Sequence, residues 1–231
     1  MKLAYHESSA RSFLQGVPEP TVDHARPIPM LFPGVRGAIL DVLTRVETGM
    51  TIRQLAERAG VSHPQAARHV RDLETLGVIA REHVGRSHRI TLTDSMTADL
   101  LRRLTRQRDE VIREMRTAAS QLSPAPFAMI VFGSFARGDD HAASDIDVLV
   151  VVDDDIREGE LDGPLAAWCD HIARLTGNSV TEIVVDRRGL DAMSPSLLAS
   201  IDRDGVVIAG ERLPARIGLR IAAEVDDAYD A

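Results

Sequence analysis

The sequence predicts an α+β protein of two domains, joined by a long linker helix. Three observations carry this. The first half reads as three helices closed by a hairpin. The second half alternates strands and helices after a proline break. Charge divides at the same place: residues 1–125 hold 18 Lys and Arg against 14 Asp and Glu, and residues 126–231 hold 9 against 21. A basic half followed by an acidic half implies two modules with different partners. At 231 residues and 44% hydrophobic the chain is long enough for one or two buried cores, and with 3% aromatics those cores are aliphatic. Cys169 is the only cysteine, so no intrachain disulfide forms. That usage, with no signal-peptide pattern at Met1–Gly16 and no apolar run of membrane-spanning length, predicts a cytoplasmic protein.

Residues 1–30 carry Pro18, Pro20, Pro27 and Pro29 without a sustained period, and are expected to form an irregular arm. A domain is expected over 31–94. Ile39, Leu40, Leu43 and Val46 mark its first helix, and Ile52, Leu55, Ala56 and Ala59 its second. Gly60 suits a left-handed helix end, Ser62 an N-cap, and Pro64 the first turn of a third helix. Ala66, Val70 and Leu73 line one face of that helix. "VIAREHVGRSHRITL" then reads as two strands around Gly85-Arg86-Ser87. Three helices and a hairpin, with a short turn between helices two and three, are the layout of a winged helix-turn-helix.

The linker, 95–124, is expected to be helical over 97–122. Leu101, Leu104, Arg108, Val111, Met115, Ala118 and Leu122 alternate spacings of three and four. Such a seam either packs on the chain's own domains or joins two copies in a homodimer. Ser123-Pro124-Ala125-Pro126 ends it. The second domain, 125–210, is expected to be mixed α/β: strands at Phe127–Phe132, Asp145–Val152, Ser179–Asp186 and Val206–Ala209, with helices at Leu161–Leu175 and Ser196–Ile201. Residues 211–231 form a tail.

The chemistry concentrates in "VFGSFARGDDHAASDIDVLVVV". Gly133 follows a strand and lets backbone approach a ligand closely. Ser134 adds a hydroxyl, and Arg137 a permanent cation. Together they suit phosphate. Asp145 and Asp147 sit two apart at the head of a strand, so both carboxylates point to one side. Side by side they repel unless a cation lies between them, and Mg²⁺ takes one or two carboxylates plus substrate phosphates. The acids hold the metal and the metal holds the phosphates. Asp139 and Asp140 are read as solvated loop residues. Transfer to a hydroxyl also calls for a base. Within "SVTEIVVD", Glu182 and Asp186 share a face, and Glu182, inside the strand, is the expected third acid.

"GSFARG", then "SDIDVLV", resembles the minimal nucleotidyltransferase branch of the DNA polymerase beta superfamily over about residues 126–210. The resemblance implies a polymerase-beta-like fold and Mg²⁺-dependent transfer of a nucleoside monophosphate from ATP or another NTP to a hydroxyl, releasing pyrophosphate. It implies Gly133 and Ser134 at the triphosphate and Asp145 and Asp147 on the metal. The third acid of this branch is commonly Asp, so Glu182 is a departure. Standalone members include antitoxins that nucleotidylate a partner ribonuclease toxin, which makes a protein substrate of that kind an expected partner. The alternative is a non-catalytic regulator that uses the fold as a nucleotide sensor.

Residues 31–93 resemble winged-helix transcription regulators, on "LFPGVRGAILDVL" and "TIRQLAERAGVSHPQAARHVRDLETLGVIAREHVGRSHRITL". Double-stranded DNA is the expected partner, with protein contact alone as the alternative. With Ala66, Val70 and Leu73 inward, His63, Gln65, Arg68 and Arg71 face outward on the recognition helix, where Gln can read adenine and Arg guanine. Arg81, Arg86, His88 and Arg89 of the wing can reach phosphates.

Overall fold

A computed structural model describes residues 5–6, 22–85, 87–139, 141, 144–211 and 213. The chain forms two compact units. One comprises Ala25–Arg108, and the other is assembled from Met1–His24 and Asp109–Ala231.

The Ala25–Arg108 unit contains helices α1 (Pro27–Leu31), α2 (Val35–Thr44), α3 (Ile52–Arg58) and α4 (His63–Thr75), strands β2 (Ile79–Val84) and β3 (Ser87–Leu92), and α5 (Met96–Thr105). Two helix starts are fixed by capping boxes. Thr51 and Gln54 cap α3, and Ser62 and Gln65 cap α4, each side chain satisfying the other's backbone N–H. β2 and β3 pair antiparallel, and Met50 bridges to Ile90 beside them. Ile39, Leu43, Leu55, Ala66, Val70, Ile79 and Ile90 fill the core. This is the winged-helix layout. Buried Asp41 holds the entering chain: it pairs with Arg45 at 3.1 Å and with Arg26 at 3.6 Å, and Arg45 also donates to the Ala25 carbonyl.

The second unit is a five-stranded mixed sheet in the order β1 (Tyr5–His6), β6 (Val180–Asp186), β5 (Ile146–Val152), β4 (Ala128–Phe132), β7 (Val206–Gly210). β5 and β6 run parallel and the other pairs antiparallel. Even-numbered β5 residues, Ile146, Val148 and Val150, pack beneath α6 (Gln107–Ala119) and α8 (Asp162–Thr176). Odd-numbered Leu149 and Val151 pack beneath a 3₁₀ turn (Gly189–Ala192) and α9 (Pro195–Asp204). α7 (Gly133–Arg137) is the short helix between β4 and β5.

Two expectations need correction. The arm is not wholly irregular: Tyr5–His6 adds an edge strand to the second unit's sheet, and Pro27–Leu31 is helical in the first unit. The single linker helix is two helices, α5 and α6, interrupted at Arg106. The apolar seam is also shared out within the chain. Leu101 and Leu104 pack on the winged-helix core, while Val111, Met115, Ala118 and Leu122 pack on the α/β core. A homodimer would need another surface.

Candidate functional site

Three elements build the site at one end of the mixed sheet. β4 delivers Phe132 opposite Asp147 of β5, and the chain then turns at Gly133 into α7. Gly133 has φ +74°, in the left-handed region that favours glycine. A Cβ there would also collide with the Asp147 carboxylate. The residue is thus glycine for two independent reasons: the turn and the close approach of an acid.

Asp147 is half-buried and Asp145 exposed. Burial pushes the Asp147 carboxyl above its ordinary value. The neighbouring Asp145 pushes the same way, and Arg137 pulls against both. Asp145 and Asp147 therefore act on each other, as the strand period requires. Ser134 is half-buried in α7, and Arg137 is exposed at its end, paired with Asp139 at 3.1 Å. Asp139 is exposed, as expected of a solvated loop residue, and pairs with this cation; Asp140 lies outside the described residues.

The donor set fits Mg²⁺. Two hard carboxylate oxygens groups stand together, one of them held in an unfavourable ionisation that a cation would relieve. No cluster of three or more His, Cys, Asp or Glu suited to a metal occurs among the described residues. An ion held by two carboxylates would draw the rest of its shell from water and phosphate oxygens.

Glu182 is not in this site. β6 pairs in parallel with β5 so that Asp147 stands beside Thr181, and Val148 beside Glu182. Paired residues share a face, so Glu182 lies with Val148 on the opposite side of the sheet from Asp147. It is 6% exposed and accepts from the Cys169 thiol of α8 at 3.7 Å. Burial and this carboxylate together push the Cys169 thiol far up. Half-buried Thr181 occupies the β6 position next to Asp147, and neither Ile183 nor Val185 supplies an acid further along that face. Sequence alternation could not detect this. β6 is apolar on both faces, so its side preference follows only from its register with β5.

On the winged helix, His63, Gln65, Arg68 and Arg71 are all exposed along α4, as expected. Gln65 is already engaged, however: its Oε1 accepts from the Ser62 N–H at 3.1 Å and hydroxyl at 2.8 Å. The spacing Ser62-x-x-Gln65 is the sequence signal for that role. Arg89 and His88 are exposed on β3, whereas Arg81 is paired with Glu74 at 3.0 Å. Arg86 lies outside the described residues.

Residues 32–90 match the MarR family, and residues 112–185 match the nucleotidyltransferase domain. The first segment is thus MarR-like and the second is of the nucleotidyltransferase-domain type. No curated protein matches it significantly. Solved structures similar to it include the toxin-antitoxin MntA-HpeT mutant D39ED41E, at 16% identity and TM-score 0.36 over 51% of this chain and 88% of that one. MepR, a transcription regulator of the Staphylococcus aureus multidrug efflux pump MepA, is 25% identical with TM-score 0.29 over 43% of this chain and 73% of that one. A nucleotidyltransferase structure from Sulfolobus solfataricus is 23% identical with TM-score 0.29 over 47% and 88%. Among the described residues no helix is long and apolar enough to cross a membrane.

Proposed function

We propose that the protein binds double-stranded DNA through its winged helix and that its second domain uses Mg²⁺ and an NTP to transfer a nucleoside monophosphate to a partner's hydroxyl. The observation that carries this is the close packing of Gly133 against Asp147, beside Asp145, at the start of α7. It supports a reading in which backbone that can approach a phosphate and a pair of carboxylates that can hold a cation stand side by side. The metal, when bound, neutralises phosphate charge and orients the triphosphate. Asp145 and Asp147 hold it. Gly133 leaves room for backbone to approach the phosphates, Ser134 donates to a phosphate oxygen, and Arg137 balances charge. In the transfer the acceptor oxygen bonds to the α-phosphorus, the bond from that phosphorus to the bridging oxygen breaks, pyrophosphate leaves with the electron pair, and the acceptor's proton passes to solvent. The acceptor on this reading is a toxin-type protein encoded with this one. A protein substrate of that kind suits a DNA-binding module that represses their shared promoter.

A specific observation favours a second reading. Thr181, not an acid, neighbours Asp147 on β6. A positioned general base contributes about 10²–10⁴ in rate, and its loss would leave slow transfer or a nucleotide sensor without chemistry. Incubation with labelled ATP, Mg²⁺ and the product of the adjacent gene separates the two. Label on the partner, lost in the D145A/D147A variant, supports transfer. Nucleotide binding without label under any NTP supports the sensor. Label retained in the double variant would remove the metal assignment.

A further inference from the structure

The arm segment Val22–His24 touches the second unit where the candidate site is built. Asn178, in the turn between α8 and β6, is 5% exposed. Its side-chain amide makes three hydrogen bonds. The Val22 N–H donates to its Oδ1 at 3.3 Å, and its Nδ2 donates to the Val22 carbonyl at 3.1 Å and to the Ser144 carbonyl at 2.9 Å. The last bond matters for chemistry. The Ser144 carbonyl belongs to the peptide that carries the Asp145 N–H. Fixing that plane fixes the direction of the Asp145 N–Cα bond, one end of the residue's backbone. On the far side of Asp145, the Ile146 N–H donates to the Ser179 carbonyl at 2.8 Å. Neighbouring residues 178 and 179 thus clamp both peptides that flank an exposed carboxylate.

His24 reinforces the same turn. It is 1% exposed, with Nε2 3.2 Å from the Thr176 carbonyl, and its ring meets Phe135 of α7 edge-on at 5.6 Å. The Thr176 hydroxyl in turn accepts from the Asn178 backbone N–H at 3.3 Å. Val22 and His24 therefore bracket the turn that presents Asn178, and His24 also backs the helix that carries Ser134. A buried amide with its hydrogen bonds made is costly to leave half-satisfied.

We propose that Asn178, with Val22–His24 docked on it, is the positioning residue that sets Asp145 for the metal. The segment then acts as a strap on the cation site. This rests on the metal-site reading above. Supporting groups behind metal ligands typically change affinity by about 10–100-fold when removed.

The test is Mn²⁺ binding to the full-length protein, followed by electron paramagnetic resonance with a non-hydrolysable ATP analogue present. N178A is expected to weaken Mn²⁺ binding about tenfold. V22P, which removes the Val22 N–H donor and also fixes φ there, is expected to weaken it less, and the double variant no more than N178A alone. L165A, at a buried core position of α8 itself, is the control for lost stability. It should leave Mn²⁺ affinity unchanged at a temperature where all variants are folded. N178A with wild-type affinity, or L165A with the same loss as N178A, overturns the proposal while leaving the metal site standing. A wild-type protein that binds no Mn²⁺ overturns the metal site and the strap's role with it.

Discussion

Replacing Gly133 with Ala tests the geometry at the centre of the site. Two costs are expected. The backbone is held at φ +74°, where a side chain costs about 1–2 kcal/mol. The new Cβ also lands on the Asp147 carboxylate, and overfilling a packed position costs about 1–3 kcal/mol more. Only the second cost depends on Asp147, because the Asp147 Cβ itself would lie at an ordinary 3.6 Å from the added atom. The G133A change is therefore measured with Asp147 present and again in a D147A background. Trp168 is the only tryptophan, buried against the α/β core with its Nε1 donating to the Met115 carbonyl. Its fluorescence in urea reports the unfolding of this unit by itself. The two positions are expected to couple by about 1 kcal/mol or more, with G133A milder once the carboxylate is gone. Equal costs in the two backgrounds would refute the close approach.

Further outcomes follow from the same structure. E182Q is expected to leave Mn²⁺ affinity within about twofold, the scatter typical of independent sites; a loss like that of D145A would return Glu182 to the site. Because the folded Asp147 carboxyl lies above its ordinary value of 3.8, its ionisation destabilises the metal-free fold. In EDTA, stability should fall as pH rises from below 3.8 through that higher folded value, a fall that D147N abolishes, and Mn²⁺ binding should weaken as pH drops through the same window. Cys169, buried with its thiol pushed far up, should resist a thiol reagent until the protein unfolds, and labelling as fast as a free thiol would contradict its packing. R68A and R71A should each weaken promoter binding; a residue that contacts phosphate lowers the salt slope by about one, whereas one that reads a base relaxes specificity at its position.

The elements were largely legible in the sequence because local signals agreed. Prolines and glycines bracket each segment, and β4, β5, β6 and β7 fall within a residue or so of the apolar runs that predict them. The pairing of Asp145 with Asp147 was legible because it needs only the period of one strand. Glu182 was not, because its side is set by which residue of β5 lies beside it, and β6 carries aliphatic residues on both faces. The strap was invisible for a related reason. Val22 and Asn178 are 156 residues apart, and nothing local in either marks the other. The break at Arg106 was hidden by heptad spacing that continues through it while its two halves serve different cores.

The chain leaves the α/β unit after His24 and re-enters it at Asp109, which makes the winged helix an insertion. It is tethered to its host at both ends. One proteolytic nick in the wing would leave both halves attached to the nucleotidyltransferase unit. A fragment cut at the proline break would lose more than the winged helix. It would lack Val22 and His24, and also Val111, Ile112 and Met115, whose removal uncovers the part of one sheet face that α8 does not cover. The α/β unit is therefore not separable by truncation. Freeing it from the winged helix requires excising the insert and rejoining the chain across the two crossing points.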